Sequence, residues 1–300
     1  MRVLRELTPS PRPTAVALGF FDGVHRGHRA VLSAAVSCRR EGLTPAAFFF
    51  TSSPKKDSAK QQLSSNADKI RMFEEIGIER LYIIDFERLK NKTPYAFVKD
   101  VLRDVFNAKK VFCGFNYRFG RAGSGDTELL RELCSGQGID AFVCDTVVED
   151  GVVVSSSEIR RLLRAGEIKR ANRLLGYDFG VRSTSVEGNH IGTLMHTPTV
   201  NLRFPENTVL PRFGVYASIV TIDGERYIGV TNVGVKPTIT DAGIPNCETW
   251  MPEYRGGELY GKTVDVRLRD FIRPERKFSG LQELEEAIKR DGNTALSILK

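Results

Sequence analysis

At Gly176 the chain changes its hydrophobic period, and the change limits what it can fold into. Upstream, short apolar runs that read as strands alternate with amphipathic stretches that read as helices; from there to Ser279 only strands and turns follow. The upstream strand runs are residues 14–20, 44–51, 80–85, 110–113 and 140–147. Between them Asn66 opens a helix that buries Ile70, Phe73 and Ile76, Thr93-Pro94 opens one bearing Phe97, Val98, Val101, Leu102 and Val105, and Asp126 opens one bearing Leu129, Leu130 and Leu133. Such alternation predicts an α/β unit, a doubly wound parallel sheet with its ligand site beyond the carboxyl ends of the strands. Downstream, Asp223-Gly224 between residues 215–222 and 226–233 is a hairpin signal, and residues 263–271 alternate with period two. Ser279 is placed to cap a helix over 280–291, with Gln282 completing a capping box. A small antiparallel β-barrel domain with a C-terminal helix is expected there. The boundary is set near residue 180, giving domains 1–180 and 181–300.

The densest chemistry lies in Gly19-Phe20-Phe21-Asp22-Gly23-Val24-His25-Arg26-Gly27-His28, which holds two of the chain's four histidines. It joins the first long strand run to a helical pattern over 29–40, so the histidines fall where a helix begins. Exposed backbone N–H groups and the positive end of the helix dipole suit that position to phosphate. Two histidines at this spacing also fit a metal, but no third His or Cys cluster accompanies them. Two further stretches follow strand ends. Gly114-Phe115-Asn116-Tyr117-Arg118-Phe119-Gly120 reads either as a flexible loop or as one that meets a nucleotide. Ser155-Ser156-Ser157-Glu158-Ile159-Arg160 opens a helix, its serines serving as caps or, with Arg160, as an anion clamp. No GxxxxGK[ST] occurs, which excludes a P-loop NTPase.

Three hundred residues with 41% hydrophobic content suffice for two cores. The net charge of +7 forms no dense basic run, so nucleic acid is not an expected partner and small anionic substrates suit it better. Five cysteines without CxxC spacing read as buried free thiols in a reducing compartment. With Arg2, Arg5 and Glu6 near the first residue and no apolar segment after them, no signal peptide is expected, and no run is long enough to span a membrane. The expectation is a cytoplasmic protein, with its oligomeric state open.

The stretch G-x-F-D-G-x-H-x-G-H followed far downstream by S-S-x-x-I-R resembles the nucleotidyltransferase superfamily, and the intervening G-F-N-Y-R-F-G narrows it to the bacterial FAD synthetase family. The resemblance implies that His25 and His28 contact the α-phosphate of ATP, with Gly19, Phe20, Asp22 and Gly23 forming the nucleotide-binding turn. It implies Ser156 and Arg160 on the β- and γ-phosphates, Asn116 at the nucleotide and Phe115 at the flavin. In the second half, Pro198-Thr199-Val200-Asn201-Leu202, Gly214–Ala217, Gly229–Thr238, Glu248–Tyr260 and 271–278 match the riboflavin kinase domain in order. That likeness implies Gly192, Thr199 and Asn201 at Mg²⁺·ATP, Thr199 and Asn201 as the metal ligands, Glu248 as the base, and Arg273 near the flavin. The expected substrates are riboflavin, FMN and ATP, and the products FMN and FAD. The chain departs from the common pattern at Thr193, where many members have arginine, and at His196-Thr197, where many have Gly-Phe. It also has Thr51-Ser52-Ser53-Pro54 in place of the usual P-H-P.

Overall fold

A computed structural model describes residues 1–51, 61–186, 199–235, 245–257 and 259–300, the side chain of Leu281 excepted. By its internal contacts the chain divides into two compact units, Met1–Ser156 and Ser157–Lys300. No helix among the described residues is long and apolar enough to cross a membrane.

The first unit is built on a parallel sheet. Its strands are β1 (Arg2–Leu4), β2 (Thr14–Leu18), β3 (Thr44–Phe50), β4 (Arg80–Ile84), β5 (Ala108–Gly114) and β6 (Asp140–Cys144), in the order β1-β4-β3-β2-β5-β6. Every residue of β2 and of β4 is buried, as continuous apolar runs are in a sheet covered on both faces. The helices are α1 (Arg26–Ser37), α2 (Asn66–Ile76), α3 (Pro94–Ala96, running on as π-helix through Phe97–Val105) and α4 (Thr127–Ser135). Val16, Leu18, Phe48, Tyr82, Phe97, Val101 and Phe106 lie in its core. A short hairpin, β7 (Val148–Glu149) with β8 (Val152–Val153), follows the sheet.

Thr93 and Asp126 cap their helices as expected, each side chain accepting a backbone N–H three residues on. Asn66 does not cap α2; Ser65 does, because its hydroxyl reaches Asp68 N at 3.1 Å. The first helix starts earlier than residue 29, since the His25 side chain itself serves as its cap.

The second unit opens with α5 (Ser156–Ala165), whose first residue closes the first unit, and α6 (Ile168–Leu175), which ends at Gly176 in the left-handed region (φ 79°). Asn172 of α6 donates to Leu268 O at 2.8 Å and accepts from Phe179 N at 2.8 Å, so this helix is bonded to the sheet that follows. That sheet comprises β9 (Gly180–Thr184), β10 (Thr199–Arg203), β11 (Gly214–Ile222), β12 (Glu225–Val235), β13 (Pro245–Trp250) and β14 (Thr263–Arg273). Its order is β10-β13-β12-β11-β14-β9 and every pairing is antiparallel. Val186, just past β9, bonds to Asn201 of β10 and nearly closes the sheet into a barrel. Asp223 and Gly224 both have positive φ (50° and 88°), as a two-residue hairpin turn requires.

Three fully buried hydroxyls cross the barrel, Ser218 to Thr231 at 2.7 Å and Thr231 to Thr249 at 2.9 Å. The last helix, α7 (Leu281–Leu299), packs Ala295 on Val215, Ala217 and Val230. Its start differs from the expectation. Gly280 is the N-cap residue, and Glu283 rather than Gln282 turns back, accepting from the N–H and the hydroxyl of Ser279 at 2.8 Å each.

Candidate active sites

In the first sheet the strand order reverses at β2, with β3 on one side and β5 on the other. Leu18 pairs with Cys113, so the turn beginning at Gly19 and the loop beginning at Gly114 leave neighbouring strands side by side. Such a switch point opens the crevice in which α/β sheets bind their ligands. The turn after β2 is tightly wound. Phe21, Gly23 and Val24 all have positive φ (52°, 80° and 38°), a strain that persists only where the surroundings over-determine the backbone. A Cβ at Gly23 would stand 2.8 Å from Leu63 Cδ1, which reserves this position for glycine. Asp22, 2% exposed, accepts Leu63 N at 2.8 Å, and Gly23 N donates to Ser64 Oγ at 3.1 Å.

The winding delivers the two histidines to the start of α1. His25 Nδ1 accepts the His28 backbone N–H at 3.3 Å, which leaves the His25 proton on Nε2. The two rings stack, centroids 3.6 Å apart and 15° from parallel, and Phe21 packs edge-on against His28 at 5.4 Å. Burial, then His25, then Lys69 hold the His28 pKa well below its ordinary 6.5, so this ring is neutral at physiological pH. Among the described residues its buried Nδ1 has no hydrogen-bond partner.

Ser156, the first residue of α5, donates from Oγ to Asp22 O at 3.0 Å and so brings the serine-rich helix start to the histidine turn. Asn116 and Phe115 lie exposed on the loop after β5, which Phe119 and Gly125 pin at its base. Gly19, Phe20, Asp22, Gly23, His25, His28 and Ser156 thus gather at one strand end, while Arg160 belongs to the second unit.

In the barrel, the antiparallel register aligns residues far apart in sequence. Asn201 faces Glu248, Glu248 faces Asn232, Asn232 faces Val215 and Val215 faces Arg273, one row across five strands. Directly opposed residues share a face, and alternation puts this row on the opposite face from the buried hydroxyls. Thr199 lies on the same side as Asn201, two residues earlier. Asn201 is 4% exposed and its Oδ1 accepts Asn246 Nδ2 at 3.1 Å, so the amide oxygen is directed to Asn246, two residues before Glu248 on β13. Asn232 donates to Glu275 Oε1 at 3.4 Å. Arg273 grips Asp291 of α7 through Nε (3.0 and 3.1 Å) and Nη2 (2.7 Å), and its Nη1 donates to Pro274 O. Its guanidinium therefore ties the last strand to the last helix. Gly192 lies outside the described residues, as do Thr193, His196, Thr197 and residues 52–54.

Sequence reasoning missed Asn232, Asn246 and Lys69. Lys69 stands three and four residues before Met72 and Phe73, on the same buried face of α2, and that spacing was the available signal. Asn232 lies within the Gly229–Thr238 stretch that matches the riboflavin kinase pattern, whereas Asn246 carried no signal, because only the fold brings it to Asn201.

The first unit carries a histidine-capped helix start at the switch point of a parallel sheet, and the second a compact polar row on a barrel-like sheet. The FAD synthetase family model matches residues 7–158 and the riboflavin kinase model matches residues 175–299. Bifunctional riboflavin kinase/FMN adenylyltransferase of Listeria monocytogenes serovar 1/2a is 31% identical over 283 residues, covering 92% of this chain and 89% of that protein. The protein of the same name from Escherichia coli K12 is 33% identical, covering 98% and 96%. The crystal structure of a macrolide-efflux protein from Streptococcus pneumoniae superimposes with a TM-score of 0.87 at 26% identity, covering 98% of each chain. The chain belongs to the family of bifunctional riboflavin kinases/FMN adenylyltransferases, the bacterial FAD synthetases. Riboflavin kinase and FMN adenylyltransferase activities reside in one polypeptide, with ATP as co-substrate and FMN and FAD as products.

Proposed function

We propose that adenylylation of FMN takes place at the histidine turn and phosphorylation of riboflavin at the barrel row, each with its own ATP. At the turn, the FMN phosphate attacks the α-phosphorus of ATP and pyrophosphate leaves. The attacking phosphate is already ionised, so the protein's work is positioning and charge stabilisation rather than proton transfer. His25, through Nε2–H, and His28 grip the α-phosphate. Ser156 and Arg160 take the β- and γ-phosphates, Ser156 also holding its helix start to the turn. Gly19, Phe20, Asp22 and Gly23 shape the turn, Asn116 meets the nucleotide and Phe115 the flavin.

In the barrel, Glu248 takes the proton of the terminal ribityl hydroxyl, whose oxygen attacks the γ-phosphorus as ADP leaves. Gly192, Thr199 and Asn201 bind ATP. A hydroxyl and an amide oxygen on one strand face, beside a carboxylate, are hard donors that fit Mg²⁺. Thr199 and Asn201 would hold that ion, which neutralises phosphate charge when bound. Arg273 acts on the flavin site through its bond to Asp291, by fixing α7 against β14. The domains are 1–180 for adenylyl transfer and 181–300 for the kinase, in a cytoplasmic enzyme that uses no nucleic-acid partner.

The observation that supports this reading best is the row Asn201–Glu248–Asn232, which gathers the base and a metal ligand from strands far apart in sequence. The test is product analysis of riboflavin with Mg²⁺·ATP by chromatography. His28→Ala stops FAD formation while FMN accumulates; Glu248→Ala stops riboflavin phosphorylation but leaves supplied FMN to be adenylylated. Loss of both steps in either folded variant would overturn the two-site assignment.

A further inference from the structure

The amide of Asn201 on β10 is held by a residue that no sequence pattern singles out. Asn246 Nδ2 donates to Asn201 Oδ1 at 3.1 Å. The two are not register partners. On β13, Asn246 faces Arg203 of β10 on one side and Gly234 of β12 on the other, while Asn201 faces Glu248. The bond therefore runs along a diagonal of the antiparallel ladder, where neighbours stand roughly 7–8 Å apart and only side chains leaning toward each other meet. Asn246 lies two residues before Glu248 on one strand, so it shares the face of the polar row.

We propose that Asn246 is a positioning residue for riboflavin phosphorylation, which holds the Asn201 amide so that its oxygen rather than its nitrogen serves the metal of Mg²⁺·ATP. The proposal rests on the reading of Asn201 as a ligand of that ion. The terminal torsion of an asparagine is broad and roughly two-fold, so rotamer preference does not choose between its two ends. Toward a cation those ends are opposites, because the oxygen carries lone pairs and the nitrogen only N–H donors.

The Asn246 N–H makes the choice. A reversed Asn201 amide would set one donor against another across the same diagonal, and the bond would be lost. At 4% exposure Asn201 has little water to replace that partner, so the bonded orientation is favoured more strongly than at a surface. An amide oxygen has two lone pairs; this bond takes one and leaves the other for a cation. Partners that orient a metal ligand in this way raise its affinity without touching the ion. Asn246 thus acts through Asn201 and not on the reacting atoms.

The experiment follows FMN formation from riboflavin by the full-length chain over a range of Mg²⁺·ATP concentrations. The variants are Asn246→Asp, Asn246→Leu, Asn201→Ala and the double substitution Asn201→Ala with Asn246→Leu. Asn246→Asp keeps the size of the side chain and replaces its donor by an acceptor. KM for Mg²⁺·ATP is expected to rise by about three- to tenfold in both single variants at position 246, the size of one neutral hydrogen bond. KM for riboflavin and the rate of FMN adenylylation stay at the parent's values. Calorimetry of ADP binding with Mg²⁺ and with EDTA supplies a readout independent of turnover, and the variants lose only the Mg²⁺-dependent part. In the Asn201→Ala background Asn246→Leu adds nothing further, as a residue that works through Asn201 requires. If folded variants at 246 keep the parent's KM and Mg²⁺-dependent binding while Asn201→Ala loses them, the role of Asn246 is refuted and the reading of the site stands. Additive losses in the double variant refute that role too. If Asn201→Ala leaves phosphorylation unchanged, the reading of the site itself fails. Should Asn246→Leu not fold, the isosteric Asn246→Asp decides, alone and combined with Asn201→Ala.

Discussion

Replacing Ser156 by alanine removes a single hydroxyl and asks how the histidine turn is held. Ser156 Oγ donates to Asp22 O at 3.0 Å, joining the start of α5 to the turn that carries His25 and His28. A part-buried neutral hydrogen bond is worth about 0.5–1.5 kcal/mol net, and about 1.4 kcal/mol is a tenfold change in rate. If the hydroxyl acts by holding the turn, the substitution lowers kcat/KM for FMN adenylylation by roughly three- to tenfold. A hydroxyl that donated to phosphoryl oxygens in the transition state would cost far more, about 10²–10³. The size of the loss therefore separates the two roles. The assay follows FAD and pyrophosphate from FMN and Mg²⁺·ATP, with riboflavin phosphorylation measured in the same preparation and expected to be unchanged. A loss beyond about a hundredfold would refute the holding role in favour of direct donation. An unaltered rate would show that the contact to Asp22 does nothing for catalysis.

Further outcomes follow from the same geometry. Glu248→Gln keeps the shape of the barrel row but not the carboxylate proposed as the base, and is expected to slow riboflavin phosphorylation by about 10²–10⁴ while FMN adenylylation continues. Gly23→Ala combines a left-handed backbone with a Cβ 2.8 Å from Leu63 Cδ1, and should lower the stability of the first unit by about 2–4 kcal/mol, seen as an earlier unfolding transition. Asp291→Ala removes the carboxylate that Arg273 grips, and should loosen α7 by about 1–3 kcal/mol, detectable as faster amide exchange along that helix. His28 gives a pH effect of definite sign. Its folded pKa lies well below 6.5, so on acidification below that value the unfolded chain binds a proton that the folded chain refuses, and stability falls with pH. Chemical denaturation of the parent and of His28→Gln at decreasing pH should show the smaller loss in the variant.

Local features were legible without coordinates because they depend on residues a few positions apart. The strand runs, the Thr93 and Asp126 caps, the left-handed stop at Gly176 and the Asp223-Gly224 hairpin are of this kind. The histidine turn read as suited to phosphate from its place at a helix start, whereas the roles expected of the barrel residues came only through the resemblance to the riboflavin kinase domain. Misreadings arose where two neighbouring groups could each satisfy the same backbone donor. Ser65 displaced Asn66 as a cap, and Glu283 displaced Gln282, because the choice depends on which side chain the surrounding packing leaves in reach.

Sequence by itself thus determined the elements, their period and the chemical vocabulary of each half. Tertiary structure decided who stands next to whom. Only the order β1-β4-β3-β2-β5-β6 sets the Gly114 loop beside the Gly19 turn, and only antiparallel register sets Glu248 between Asn201 and Asn232. Burial of Lys69 beneath Phe20 belongs to the same class, since a lysine on a helix is ordinarily solvated until another element covers it. The physical reason is range. Backbone propensity and capping act over a turn or a strand, whereas pairing and desolvation depend on residues that only the folded chain brings together.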